Sequence, residues 1–393
     1  MNESLLVVVV VVLVLLMLML PGYKQGVQFL QSLPPTFKKN APLVKKLHSP
    51  RMFALSLPAH IVYYAIRYII IAPLLFVLSL VGVTQRSLLV ALVPRFVSKN
   101  VHERAAAALV DEVTIAKKLS PRPLVFVSTW SKSGTNLTLN MAISILARGD
   151  AGVALDGDHI HATVPWPDGN AAVGFPALLL RDLVVLPKRA GLVNDALIVK
   201  THQPLSVVPL SAPNDKCIVV LRDPKDICVS GHHFIASIAL GPAMVPLAVH
   251  VDLFCVGDSV AGLDGPWWVH ADSAWRAIGK PNVLVMFYED MVRDPTATVR
   301  AVAQFLAVDL TAAEVTKVVE LSSFKWMKQN NLHFDAGRAT PLSTGGEMMR
   351  AGKVGDSATE LTKEQRAQID AAMLSGLEKL GSTFPYRERY CKR

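Results

Sequence analysis

Cysteine is scarce in this chain of 393 residues: Cys217, Cys228, Cys255 and Cys391 are the only four. Their spacing offers neither a disulfide framework nor a zinc site, and such sparse use fits a reducing compartment. Acidic charge is missing from one long stretch: Pro21 to Ala59 holds Lys24, Lys38, Lys39, Lys45, Lys46 and Arg51 but no Asp or Glu. These cations supply most of the formal +9. The sequence pI of 9.4 is therefore no argument for a nucleic-acid partner, and a basic juxtamembrane segment beside anionic lipid accounts for it. The pattern G-x-x-x-x-G-K-[ST] is also absent, which removes the fingerprint of the nucleotide triphosphatases. No internal repeat is present, and the only low-complexity tract is a run of valines near the start.

Apolar residues, by contrast, are abundant, at 51%, with a mean hydropathy of +0.37. Residues 5–20 read LLVVVVVVLVLLMLML, close to the roughly 17 to 25 apolar residues that cross a bilayer as a helix. A cleavable signal peptide would want a basic n-region and a small-residue cleavage site. Here Glu3 is the only charge ahead of the run, and Pro21-Gly22-Tyr23-Lys24 follows. Residues 1–22 are therefore expected to be an uncleaved transmembrane anchor, followed by the basic segment 23–58. A second apolar stretch, 59–83, is interrupted by Arg67 and Pro73. It is long enough to span, yet also suits a re-entrant, interfacial or buried segment. The positive-inside rule puts the basic segment in the cytoplasm. The rest of the chain is expected to face the cytoplasm as well if the second stretch only dips into the membrane, and the far side if it spans.

Residues 84–120 alternate short apolar runs with basic residues, and Val110 to Leu119 has helical spacing; this reads as a linker with amphipathic helices. Pro121-Arg122-Pro123 then punctuates the chain, and a domain is expected over 121–385. Four short, β-branched runs follow, at 124–127, 196–199, 217–221 and 283–287, with helix-like stretches such as 137–147 and 296–305 between them. Continuous apolar strands separated by crossovers predict an α/β fold with a central parallel sheet and helices on both faces.

The first of these strands runs into Ser128-Thr129-Trp130-Ser131-Lys132-Ser133-Gly134-Thr135-Asn136, and a helix opens behind it. Backbone N–H groups and the helix dipole converge at such a junction and bind an anion, to which Lys132 adds a point charge. Alone, a Lys-Ser-Gly-Thr tetrapeptide is weak evidence, since surface turns often look like this. The sequon Asn136-Leu137-Thr138 lies inside the loop, where a glycan would block the ligand. Further blocks follow in order: Lys200-Thr201-His202-Gln203-Pro204, then Arg222-Asp223-Pro224 leading to Ser230, Tyr288-Glu289-Asp290, Ser322-Ser323-Phe324, and Arg350-Ala351-Gly352-Lys353-Val354-Gly355-Asp356.

Together these blocks resemble the sulfotransferase family, most like its cytosolic small-molecule branch, over about 123–373. The resemblance implies a P-loop-like three-layer fold and transfer of a sulfonate from 3'-phosphoadenosine 5'-phosphosulfate (PAPS) to an acceptor hydroxyl, with no metal. Lys132, Ser133, Gly134, Thr135 and Asn136 match the loop that holds the 5'-phosphosulfate. Arg222 and Ser230 match the pair gripping the 3'-phosphate. Tyr288, Ser322 and Phe324 match contacts to the adenine or that phosphate, and Arg350 with Gly352 the loop closing over it. His202 matches the general base, a role that imidazole suits near neutral pH, while Lys132 and Lys200 would stabilise charge on the bridging oxygen and sulfonate.

His232, His233, Glu289 and Asp290 read as structural, and Trp267-Trp268 fall where the family carries an aromatic loop beside the acceptor. Leu137, Ala351 and Ser357 depart from the family's Trp, Lys and Trp, and its dimerisation motif is not recognisable, so the oligomeric state stays open. An apolar region, 236–265, beside a membrane anchor suits a small, lipophilic hydroxyl acceptor. Two other readings remain: an inactive membrane-anchored relative, motivated by Leu137 and Ala351, and a P-loop nucleotide kinase, which lacks its Gly-Lys-[Ser/Thr] triplet.

Overall fold

The computed structural model describes residues 99–154, 159–173, 179–235, 246–257, 264–334 and 348–391. The expected anchor at 1–22, the basic segment at 23–58, the second apolar stretch at 59–83 and the first part of 84–120 lie outside these residues. Among the described residues no helix is long and apolar enough to cross a membrane.

All four strand candidates form strands: β1 (Leu124–Thr129), β2 (Leu197–Thr201), β3 (Lys216–Leu221) and β4 (Val283–Phe287). They pair in parallel in the order β2-β1-β3-β4. The chain passes from β1 to one neighbour and then back across to the other, so the sheet switches direction beside β1. Ligands of open α/β sheets bind at such a switch point, outside the carboxyl ends of the strands. Thr129, Thr201 and Leu221 are the last residues of β1, β2 and β3.

Strand side chains alternate between two cores. Leu124 and Phe126 face one, and Val125 and Val127 the other. Helices α2 (Thr135–Leu146), α8 (Pro295–Phe305) and α9 (Ala312–Leu321) cover the second face. The first face is covered by α1 (Lys99–Leu119), α6 (Trp267–Trp275) and α11 (Lys363–Lys379). Between them in sequence lie α3 (Pro167–Val173), α4 (Pro224–Phe234), α5 (Leu247–Cys255), α7 (Tyr288–Arg293) and α10 (Phe324–Gln329), and α12 (Tyr386–Tyr390) ends the fold. The starts of α9 and α11 are set by capping boxes, Thr311 with Glu314 and Thr362 with Gln365, which satisfy backbone donors that the helix itself cannot pair.

The helical spacing read at 110–119 belongs to a longer element, since α1 begins at Lys99. Ala105, Leu109, Val113 and Ala116 recur every three to four residues and are fully buried, so this helix is built into the core. Its end is fastened by Asp215. That buried carboxylate accepts from Lys117 Nζ at 2.5 Å and from the backbone N–H groups of Leu124 and Ala212, each at 3.0 Å. Trp267 corrects one expectation. It is 1% exposed and packs edge-on against Phe384, Tyr386 and Tyr390, with Trp268 against the same core. The pair fills the space between sheet and C-terminal helices because so large an apolar ring gains most from full burial.

Replacing Asp215 leaves two backbone donors without their partner and Lys117 with only the Arg122 carbonyl, so Asp215→Ala is expected to cost about 3 kcal/mol of unfolding free energy, read as a lower urea midpoint at unchanged slope.

Candidate active site

The loop Trp130–Gly134 joins β1 to α2 as the sequence predicts. It turns through two left-handed residues, Lys132 (φ 70°) and Gly134 (φ 96°). Gly134 is required for a second reason: a Cβ there would lie 2.7 Å from Tyr288 Cδ2. Behind it, Thr135 opens α2, and its hydroxyl lies 2.6 Å from that of Thr129. Ser133 Oγ is buried and finds no hydrogen-bond partner among the described residues. A loop whose N–H groups and orphaned hydroxyl converge at a helix start fits an anion. Asn136, assigned to the same cradle, donates through Nδ2 to the Phe334 carbonyl at 3.3 Å, on the side where α10 leads.

Arg222 closes one end of this cradle. Its Nη1 donates to the Lys132 carbonyl at 2.8 Å and its Nη2 to the Lys353 carbonyl at 3.3 Å. The guanidinium stacks on the Tyr288 ring, 4.5 Å from the centroid, and its buried Nε has no partner among the described residues. Arg222 therefore ties the Trp130–Gly134 loop to the loop at Lys353 and keeps one donor spare. Asp223 caps α4 through the Lys225 N–H and is itself held by Glu289, which accepts the Asp223 N–H at 2.8 Å. Ser230 stands on α4 one turn beyond Asp226. Asp226 holds the closing loop by accepting from the N–H groups of Gly355 at 2.7 Å and Ser357 at 3.1 Å.

Ser322 Oγ is another buried hydroxyl with no partner among the described residues. Phe324 lies over Gly352, whose φ of 61° and missing Cβ leave room for the ring. Arg350 pairs with Asp356 at 2.5 Å and Glu360 at 3.5 Å, and its charge reaches Lys132. Glu360 also meets His233 Nε2 at 2.5 Å, in keeping with a structural His233. Asp290 pairs with Arg293 and Arg389, again structural.

The other end of the cradle is built on β2. Lys200 faces Val127 across the sheet and is 7% exposed. Its Nζ sits 3.4 Å from the centroid of the Trp166 ring and 3.4 Å from His161 Nε2. His202 follows two residues on. Its Nδ1 is 2.8 Å from the Thr129 carbonyl. A carbonyl can only accept, so Nδ1 carries the proton and the lone pair is on Nε2. The His202 backbone N–H donates to Asp168 Oδ2 at 2.8 Å, and the Trp166 ring stands edge-on to the imidazole, with centroids 5.2 Å apart.

Burial and crowding of like charge decide the protonation states. Desolvation lowers Lys200 to about 7, and Lys132 adds to the effect while Asp168 and Asp264 oppose it. Lys132 falls to about 8 through desolvation and then the charges of Arg222 and Arg350. Desolvation and then Lys200 hold His202 well below the usual imidazole range, so it is neutral and able to accept a proton at neutral pH. Asp168, fully buried, is pushed up to about 6 by desolvation. The site is thus a set of cations and a neutral base arranged around one loop, suited to binding a polyanion and removing a proton beside it. Among the described residues no group of three or more His, Cys, Asp or Glu could hold a metal ion.

Sequence reasoning missed Trp166, Asp168, His161 and Asp264. Asp168 carried a signal, since it is the only acid between Asp158 and Asp182 in a mainly apolar stretch, and a carboxylate so placed needs donors nearby. Asp264 carried none until the fold set it beside Ser131.

The family profile of the sulfotransferase domain matches residues 122–383. The dog protein sulfotransferase 1B1 (Canis lupus familiaris) is 28% identical over 267 residues, 67% of this chain and 86% of its own. A guinea pig (Cavia porcellus) 3-beta-hydroxysteroid sulfotransferase is 28% identical over 245 residues, 62% and 79% of the two chains. Among solved structures, retinol dehydratase with retinol and PAP superposes with a TM-score of 0.57 at 21% identity, over 68% of this chain and 86% of that one. Mouse sulfotransferase SULT7A1 with PAP gives 0.52 at 23%, over 70% and 91%. At these identities the superpositions establish a shared fold.

Because Gly134 is both left-handed and pressed on Tyr288, Gly134→Ala is expected to lose about 2 kcal/mol of stability in urea unfolding and to displace Tyr288, seen as changed tyrosine fluorescence.

Proposed function

Because this chain belongs to the sulfotransferase family, we propose that its cradle binds PAPS and delivers the sulfonate to a small, lipophilic alcohol. The observation that carries this reading is the convergence of Lys132, Lys200, Arg222 and His202 on one loop at the switch point of the sheet. Orphaned donors at Ser133, Ser322 and Arg222 Nε fit the oxygens of a ligand with phosphate at both ends. PAPS, when bound, supplies a sulfonate already linked to a good phosphate leaving group.

The protein's own part is then positioning and charge. Lys132, Ser133, Gly134, Thr135 and Asn136 hold the 5' end, while Arg222 with Ser230, Ser322 and the loop at Arg350 hold the 3' end. His202 Nε2 takes the hydroxyl proton as the acceptor oxygen bonds to sulfur. The bond from sulfur to the bridging phosphate oxygen breaks, and Lys132 and Lys200 offset the charge that collects there. The 3-beta-hydroxysteroid sulfotransferase, and the complexes of retinol dehydratase with retinol and with androsterone, support a lipophilic alcohol as acceptor. The apolar run at residues 5–20 supports a membrane anchor, with the domain on the cytoplasmic side; shielding of the C-terminus from protease in intact vesicles would overturn that side.

Transfer of labelled sulfonate from PAPS to a panel of alcohols, phenols and sugars tests the activity, with ATP as the competing ligand. His202→Ala should cut kcat by about 10²- to 10⁴-fold, and an undiminished rate removes it as base. No transfer to any acceptor favours an inactive relative. The lysines must be protonated to act, and they lose their protons as pH rises. The kcat/KM for PAPS should accordingly fall above about pH 7, where Lys200 titrates, and Lys200→Arg should move that fall to higher pH.

A further inference from the structure

Asp264 stands where none of the family motifs falls, in the segment Asp264-Gly265-Pro266 ahead of α6. It is 1% exposed, and its side chain and the Gly265 carbonyl both meet the loop that follows β1. Asp264 Oδ1 accepts from the Ser131 backbone N–H at 2.9 Å and from the Ser131 hydroxyl at 2.6 Å. The Gly265 carbonyl accepts from Trp130 Nε1 at 2.9 Å, and the Asp264 carbonyl lies 3.0 Å from His270 Nε2. The same Oδ1 is 4.0 Å from His202 Nδ1. The carboxylate is thus fastened to the first residues of the loop on one side and faces the imidazole on the other. It does not take the imidazole proton, which the Thr129 carbonyl holds.

The surroundings give that charge a purpose. Around His202 stand Lys200 and Lys132, both of which disfavour a second positive charge, and the neutral rings of His161 and His270. Asp168 is engaged with the His202 backbone N–H; its carboxyl, raised by burial to about 6, is mostly ionised at pH 7 and acts chiefly on Lys200. That leaves Asp264 as the carboxylate that faces the imidazole ring, and its charge also acts on Lys200. A proton arriving on His202 beside two ammonium groups would otherwise be opposed by unbalanced like charge.

We propose that Asp264 is a positioning residue of the transfer reaction: it locks the start of the phosphate loop against the base and, together with Asp168, supplies counter-charge beside Lys200 and His202. This inference rests on the assignment of His202 and Lys200 given above. It implies that removing the charge while keeping the hydrogen bonds impairs the reaction, which a merely structural tie would not do.

Asp264→Asn makes that separation, because an amide oxygen can still accept from Ser131 N–H and Oγ–H. With loop and fold intact, judged by an unchanged melting temperature, kcat near pH 7 should drop about tenfold. The alkaline fall of kcat/KM for PAPS should move down by about one pH unit, since Lys200 loses its proton more readily. Affinity for adenosine 3',5'-bisphosphate, measured by calorimetry across the same pH range, should show the same displacement without any need for turnover. Unmoved pH profiles in both measurements overturn the proposal, even if Asp264→Ala unfolds the loop. If the profiles stay put while His202→Ala abolishes transfer, the role of Asp264 falls and the base assignment stands. Wild-type protein that binds no bisphosphate overturns both together.

Discussion

Lys200 and Arg222 are buried, and Lys132 is half-buried beside them, at the carboxyl ends of three neighbouring strands. Taking an ammonium out of water costs several kcal/mol, and the cost rises when the nearest charges have the same sign. The protein meets it in part through the Trp166 ring under Lys200, the Tyr288 ring under Arg222, and the carboxylates Asp168, Asp226 and Asp264. It does not meet it fully, since both lysines are held below their usual range. A site in this condition gains most from a ligand that brings negative charge, and every other feature of the cradle can be read as serving that demand.

The framework explains how the demand is sustained. A parallel sheet covered on both faces fixes Thr129, Thr201 and Leu221 in register, and the loops that follow inherit that order. Glu289 holds Asp223 from below, Asp226 holds the closing loop at Gly355 and Ser357, and Asp264 holds Ser131. Each is a buried carboxylate accepting from backbone N–H groups. Such bonds fix main chain without asking for a precise partner side chain, so a loop can be rigid while its own side chains stay available to a ligand.

Much of this was legible in the sequence for a simple reason. Strands buried on both faces are short, continuous and β-branched, which marks them whatever their neighbours. The motif residues sit directly after them, so Lys132, Lys200, His202 and Arg222 could be placed at strand ends from order alone. Residues whose role depends on long-range approach were not legible. Asp264 meets Ser131 across 133 positions of chain, and nothing local to Leu263-Asp264-Gly265 says so. Trp267 was misjudged because a Trp-Trp pair has the same appearance beside a ligand as in a core, and only packing against Phe384 and Tyr390 decides. The pairing of Arg350 with Asp356 and Glu360 was not legible either, because it depends on how that loop folds back.

The central claim is that burial holds Lys200 and Lys132 below their usual range and that a bis-phosphorylated nucleotide would raise them again. Binding of adenosine 3',5'-bisphosphate at pH 8, followed by calorimetry in two buffers of different ionisation heat, reads the proton balance directly. The account predicts uptake of about one proton per site, as Lys200 and Lys132 regain charge against the phosphate. Binding with no uptake, or with release, would contradict it.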